Sequence, residues 1–359
     1  MTLTQDDLRA ATAAGILDEA QAARLSALSH ERAGRIARRA NEDEPFELFS
    51  GFAEIFISLG LILLTSGAVT FAFAAGGVVF VMAALMAVGW FAAHYFTLKR
   101  RMSLPSIVLV CTYATGAGGL IGYVLDMIGV GSATLGAILL GLGGMASILL
   151  HYRRFRVPFS MLLVGLYGFM TIYAITTETS PVDTLITGSV RGLFDLRQGG
   201  SLAIGTLIFG ILAFIAGLWF DMQDPHRIGR RARSAFWLHL LAAPALVNTV
   251  MMTAYNIPGE LGVVLTLIGL VIITAFALII DRRSFLTAGL GYLAALIFWL
   301  LGEGSMDITI PILMLLLGSL ITGLGTFWTH LRVALMRALP NFPGKTRLPP
   351  YDDVTATSE

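Results

Sequence analysis

Charged side chains are what this sequence has least of. They make up 13% of its 359 residues, while 56% are hydrophobic; a water-soluble chain carries about 25% charge. Too few polar groups remain to coat a folded surface in water, which excludes a soluble two-domain enzyme. Cysteine is nearly missing. Cys111 stands alone within an apolar run, so neither an intrachain disulfide nor a thiolate metal cluster can form, and it reads as a small buried hydrophobe. Nor is one sign of charge in excess: 24 basic and 23 acidic residues leave +1, without the basic surplus that a nucleic-acid partner demands. No HExxH, CxxC, GxSxG or P-loop pattern occurs, and no acidic pair falls mid-span. The nucleophile, base or carboxylate relay of a membrane protease, phosphotransferase or proton pump is therefore lacking. The expectation is no catalytic residue, no cofactor and no metal site. Residues 1–50 are polar and lack the short apolar run of a secretory signal, so the first membrane segment is expected to be retained.

What is present is apolar sequence in span-length pieces. At about 20 residues per crossing, roughly 200 apolar residues furnish around ten spans. Ten candidates follow: 52–74, 78–96, 104–125, 132–150, 157–176, 201–220, 235–255, 261–280, 285–301 and 308–328. Short Lys/Arg-rich loops stay in the cytoplasm. With the N-terminus inside, every basic residue except Arg191 and Arg197 falls on an inner segment, while the outer loops hold Asp126, Glu178, Asp183, Asp195, Glu260, Glu303 and Asp307. An odd number of spans would put the C-terminal basic group outside. The fold expected is thus an all-α, polytopic transmembrane bundle of about ten spans in the inner membrane, with both termini cytoplasmic. Residues 1–44 form a cytoplasmic helical hairpin and basic linker, 45–330 the membrane domain with an outer loop at 177–200, and 331–359 a partly disordered cytoplasmic tail. Basic clusters precede the third, fifth, seventh and ninth spans, which suggests a repeated hairpin unit closed by tight outer turns; positive-inside chemistry alone produces the same pattern.

In the head, Thr4 with Asp7 is a variant capping box for a helix ending at Gly15, where glycine tolerates a left-handed cap. Asp18 with Gln21 repeats the device before a second helix over 19–40. The run DLRAATAAGILDEAQAARLSAL, a charged stretch, and then GFAEIFISLGLILLTSGAVTF resemble the start of a bacterial family of membrane proteins of unknown function. The first run is also similar to a short helical oligomerisation motif with a Gly-Ile-Leu step. The resemblance covers about residues 8–73 and implies a membrane protein with a helical head, with no reaction attached. Self-association or a protein partner through residues 1–40 is the corresponding expectation. Arg32, Arg35, Arg38 and Arg39 lie where they can meet anionic headgroups of the bilayer, at about 1 kcal/mol each.

Ionisable groups inside a bilayer are expensive, so each is a candidate. Glu54 sits about one turn inside the first span, placed either to bind a cation or to pair with an arginine of an inner loop. His94 and His330, at inner helix ends, read as interfacial anchors. His239 and Asn248 flank Pro244 in the seventh span, where proline frees a backbone carbonyl. Nine residues at 100° each puts them on opposite faces, so they share a substrate or proton site only if the helix bends there; otherwise each makes its own interhelical bond. Among 39 glycines, Gly118 and Gly122 form a GxxxG pair for close packing. The 177–200 connection carries Leu185, Ile186, Val190, Leu193 and Phe194 at helical spacing, an outer interfacial helix or a lid. Two functions are expected: transport or binding of a neutral or amphipathic small molecule, or a non-catalytic scaffold or sensor recruiting a partner through its head.

Overall fold

The computed structural model describes residues 51–176, 194–197, 201–224, 230–301, 306–349 and 351, with isolated positions in the first 25 (11, 14–16, 21 and 25). The described residues are helical throughout, without a strand. The chain divides into two units, Met1–Glu44 and Pro45–Glu359. In the first, Gly15 takes φ 69° and the Ile16 N–H donates to the Ala11 carbonyl at 3.0 Å, the 6→1 bond of a Schellman cap. The expected second helix over 19–40, its four arginines and hence the hairpin lie largely outside the described residues.

The second unit is built from α1 (Phe52–Ala93), which runs into a π-helical turn at His94–Lys99, followed by α2 (Ser103–Met127), α3 (Ala133–Phe155), α4 (Ser160–Thr176) and α5 (Ser201–Asp221). Then come α6 (Arg230–Tyr255), α7 (Glu260–Ile280), α8 (Ser284–Leu301), α9 (Met306–Thr326) and α10 (Trp328–Ala338). Six helical runs are long and apolar enough to cross a membrane, or seven if the pair 310–326 and 328–338, bent by 67°, counts as one span. Their faces expose Ile62, Leu63, Leu64, Phe71, Val271 and Leu315. Apolar exposure on this scale is unfavourable in water and suited to lipid.

Two segments expected as separate spans, 52–74 and 78–96, belong to the one run of α1. At 1.5 Å per residue, its 42 residues would reach about 63 Å if straight. They do not, because Gly76 (φ −166°, ψ 20°) and Gly77 (φ 70°, ψ −156°) leave helical geometry. Gly77 is left-handed, which only glycine adopts cheaply. The chain folds back: Leu61 shares a core cluster with Ala93 and Leu109, and Glu54 reaches the start of α2.

The most extensive helix contacts are α1 with α2, α5 with α6, and α3 with α4, the pairs joined at basic connections. α7 and α8, also joined at a basic connection, approach no more closely than α2 with α3, so the three close pairs need a cause other than the kind of connection. Glycine placement supplies the reason. A Cβ on Gly89 would lie 2.7 Å from Leu109 O and Tyr113 N, and one on Gly116 would lie 2.5 Å from Met86 N. Gly141 and Gly144 admit Thr171 and Tyr167, and Gly210 admits Leu246, in the same way. In the expected GxxxG pair, Gly118 faces the Tyr167 hydroxyl while Gly122 has nothing within 4 Å.

One core cluster joins Leu109, Val110, Phe155 and Val157. A second joins Phe209, Ala242, Met251, Ala277, Phe285 and Trp328. The basic connections gather at one end of the second unit, where Arg101, Arg156 and Arg230 line one cavity and Arg282 donates to Ala232 O at 3.2 Å. The 194–197 turn lies at the other end of α6. There Asn256 Nδ2 donates to Asp195 Oδ2 at 2.7 Å, and Arg197 Nη1 donates to Asn256 O at 2.7 Å. Twenty-six residues of α6, about 39 Å of helix, separate this turn from Arg230. The remainder of the 177–200 connection, including the amphipathic stretch, lies outside the described residues except for Phe194.

Candidate functional site

At the basic end, three helices surrender a polar residue to one buried cluster. Asp221 closes α5, His239 projects from α6 two turns into the helix, and Arg282 follows α7; all three are buried. His239 Nε2 lies 2.9 Å from Asp221 Oδ2. Arg282 donates from Nε to Asp221 Oδ2 at 3.2 Å and from Nη2 to Asp221 Oδ1. The fork geometry of a guanidinium fits a carboxylate with both arms, so the buried charges compensate each other. Gly217 leaves the room for the His239 ring, since a Cβ there would come within 2.9 Å of it. Phe214 and Phe285 pack around the ring at 5.5 and 5.9 Å between centroids.

The structure does not bring His239, Pro244 and Asn248 into one site. α6 runs continuously through Pro244, which is exposed. His239 turns to Asp221 on α5, while the Asn248 carbonyl accepts from the Tyr292 hydroxyl of α8 at 3.2 Å. The two therefore keep the opposite faces that nine residues of straight helix assign them. Glu54 turns to the first residues of α2. Its Oε2 accepts from the backbone N–H groups of Ser103 at 3.2 Å and Leu104 at 3.1 Å. Those are orphan donors of the α2 N-terminus, and Pro105 removes another by having none. His94 is half-buried, with Nδ1 3.1 Å from Trp90 O, and His330 is exposed.

A second polar group lies beside the first. Asp281, left-handed at φ 56°, accepts from Trp328 Nε1 at 2.8 Å and faces Arg332 Nε at 3.8 Å. Arg332 also donates to Leu278 O at 3.1 Å and to Pro349 O at 2.6 Å. The expected span 308–328 thus ends in a bend, because Trp328 is held by Asp281 instead of continuing α9. Residues 339–349 return to this group.

Among the described residues, two cavities of the second unit are prominent, and His239, Pro244 and Asn248 line neither. One, of about 570 Å³, lies among α7, α8, α9 and α10; its walls are Leu270, Leu278, Leu286, Leu290, Leu324 and similar side chains, with Thr274 the single hydroxyl. The other, of about 270 Å³, is basic. Among the described residues no group of three or more His, Cys, Asp or Glu is placed to hold a metal.

Asp221, Asp281, Trp328 and Arg332 were not singled out from sequence. A signal existed: Asp221 and Asp281 are acids on segments where nearly all other charge is basic, each directly after an apolar run. Comparison with protein-family models, with curated proteins and with solved structures finds no match.

Proposed function

We propose that this chain is an integral membrane protein of about ten crossings that binds a neutral or amphipathic small molecule in the apolar cavity among α7 to α10. The carrying observation is that cavity: about 570 Å³ lined almost wholly by hydrocarbon, within the 300–1,000 Å³ typical of small-molecule sites. Ten crossings result if the folded-back α1 counts as two, α9 with α10 as one, and α4 and α8 each as one. Both termini then lie on the basic side, which positive-inside insertion makes the cytoplasmic face of an inner membrane. The likeness of residues 8–73 to a membrane family of unknown function is part of the same reading.

The test is photolabelling of the full-length protein in nanodiscs with a diazirine-bearing monoacylglycerol. Adducts are expected within residues 267–293 and 320–335, and fewer in Gly289→Leu, whose side chain enters the cavity beside Leu270. Labelling spread evenly over lipid-facing helices such as α1 would overturn the reading. A scaffold whose head recruits a partner is favoured by one observation, the compensated and closed cluster around His239. Deleting residues 1–39 separates the two: a scaffold loses its partner, whereas the cavity keeps its adducts.

A further inference from the structure

α10 differs from the other walls of the apolar cavity: it is eleven residues long and leaves α9 at a bend of 67°. Its two faces do different work. Leu331, Ala334 and Leu335 line the cavity beside Leu278 and Leu286, which lie near the basic connection between α7 and α8. Trp328, Arg332 and Met336, spaced by four, are the buried face. α10 thus lies across the basic end of the hollow.

What holds it there is largely polar. Trp328 Nε1 donates to Asp281 Oδ1 at 2.8 Å and Arg332 Nε donates to Leu278 O at 3.1 Å, while the Arg283 guanidinium lies over the Trp328 ring at 5.4 Å. Both acceptors belong to the C-terminal end of α7. Asp281 occupies the left-handed cap position of that helix, at φ 56°, which helices commonly give to glycine. A non-glycine residue is kept in such a conformation where its side chain is needed, and this carboxylate is what Trp328 requires. Residues 339–349 add a strap. Lys345 Nζ donates to Leu339 O at 2.8 Å, just past the end of α10, and Arg332 Nη2 donates to Pro349 O at 2.6 Å. On the cavity side the hollow deprives α10 of packing partners, so a few directional bonds decide whether it stays in place.

The joint between α9 and α10 is easily bent. Phe327, between the two helices, has φ −98° and ψ 11°. Just before it stand Gly323 and Gly325, where an added Cβ would meet nothing within 4 Å. Close packing does not call for glycine at either position, and each weakens the helix by about 0.5–1 kcal/mol relative to alanine.

We propose that α10 is a hinged gate on the apolar cavity, pivoting at residues 323–327 and latched to the end of α7 through Asp281, Trp328 and Arg332. Opening it connects the cavity with the basic side of the protein. The gate rests on the reading of that cavity as a small-molecule site and adds how the occupant enters and leaves.

The test follows a thiol and needs no ligand. In a Cys111→Ser background, Thr274→Cys puts a single sulfhydryl inside the cavity. Its reaction with a cationic methanethiosulfonate, too hydrophilic to arrive through lipid, is timed on the full-length protein in nanodiscs well below the melting temperature. Trp328→Phe keeps an aromatic ring and loses the donor to Asp281; it is expected to speed the reaction about tenfold, the worth of one hydrogen bond to a charged group. Gly323→Ala combined with Gly325→Ala stiffens the joint and is expected to slow the reaction severalfold, with the melting temperature held or raised. Ala203→Cys in place of Thr274→Cys reports a buried position on α5, expected to react at one slow rate in every background. An unchanged rate at position 274 in Trp328→Phe or in the double alanine variant overturns the gate. Acceleration at position 203 equal to that at position 274 also overturns it, since the whole protein has then loosened. Photolabelling decides the occupant separately: absence of adducts in the cavity removes the small-molecule reading, while the thiol rates still decide whether α10 moves.

Discussion

At the residue scale, the buried Asp221–His239–Arg282 cluster is held by complementary charge more than by packing. Removing one member of a compensated buried pair leaves the other charged and unsolvated, at about 3–5 kcal/mol. Asp221→Ala is therefore expected to lower the melting temperature in detergent steeply. His239→Ala, which leaves the Asp221–Arg282 bonds in place, costs less. Equal losses from the two substitutions would show that the histidine, not the arginine, compensates Asp221. Glu54 was legible as an unusual residue, since a carboxylate one turn into an apolar segment has to find partners. Its role as a cap was not, because the donors belong to a helix start about fifty residues later. Glu54→Gln keeps one acceptor and loses the charge opposite the helix dipole, a loss of about 1 kcal/mol that thermal unfolding would read.

At the element scale, the periodic apolar segments gave most helices nearly as they stand, because a helix satisfies every backbone group locally and lipid demands exactly that. The departures are instructive. α1 folds back at Gly76–Gly77 within one run, and the stretch expected as the last span bends before Trp328. Both depend on contacts with other helices: Leu61 against Leu109 in one case, Trp328 against Asp281 in the other. Glycine count likewise announced close packing without saying where. Gly116→Ala pushes a Cβ into the Met86 and Met82 backbone of α1, an overpacking expected to cost about 1–3 kcal/mol. Gly122→Ala, facing open space, is expected to be neutral or slightly stabilising by helix propensity. Thermal unfolding of the two variants side by side checks the pair, and equal destabilisation would mean that α1 and α2 do not approach at Gly116.

At the scale of the whole molecule, the separation of charge makes a prediction about sidedness. In a Cys111→Ser background, Met127→Cys and Arg231→Cys are both on exposed positions at opposite ends of the second unit. A membrane-impermeant maleimide added to intact cells is expected to label the first and spare the second. Labelling of both from outside would contradict a membrane crossing between them.

Composition and the distribution of arginines by themselves determined that this chain forms apolar helices long enough to cross a membrane, and that its basic connections share one end. These follow from solvation, which acts on each segment separately and can be read segment by segment. Which polar residues meet was decided only by the tertiary structure. Asp221 finds Arg282 across 61 positions, and Glu54 finds the α2 N-terminus. Such meetings depend on the direction of side chains across packed helices, and the spacing of residues along one helix does not carry that information.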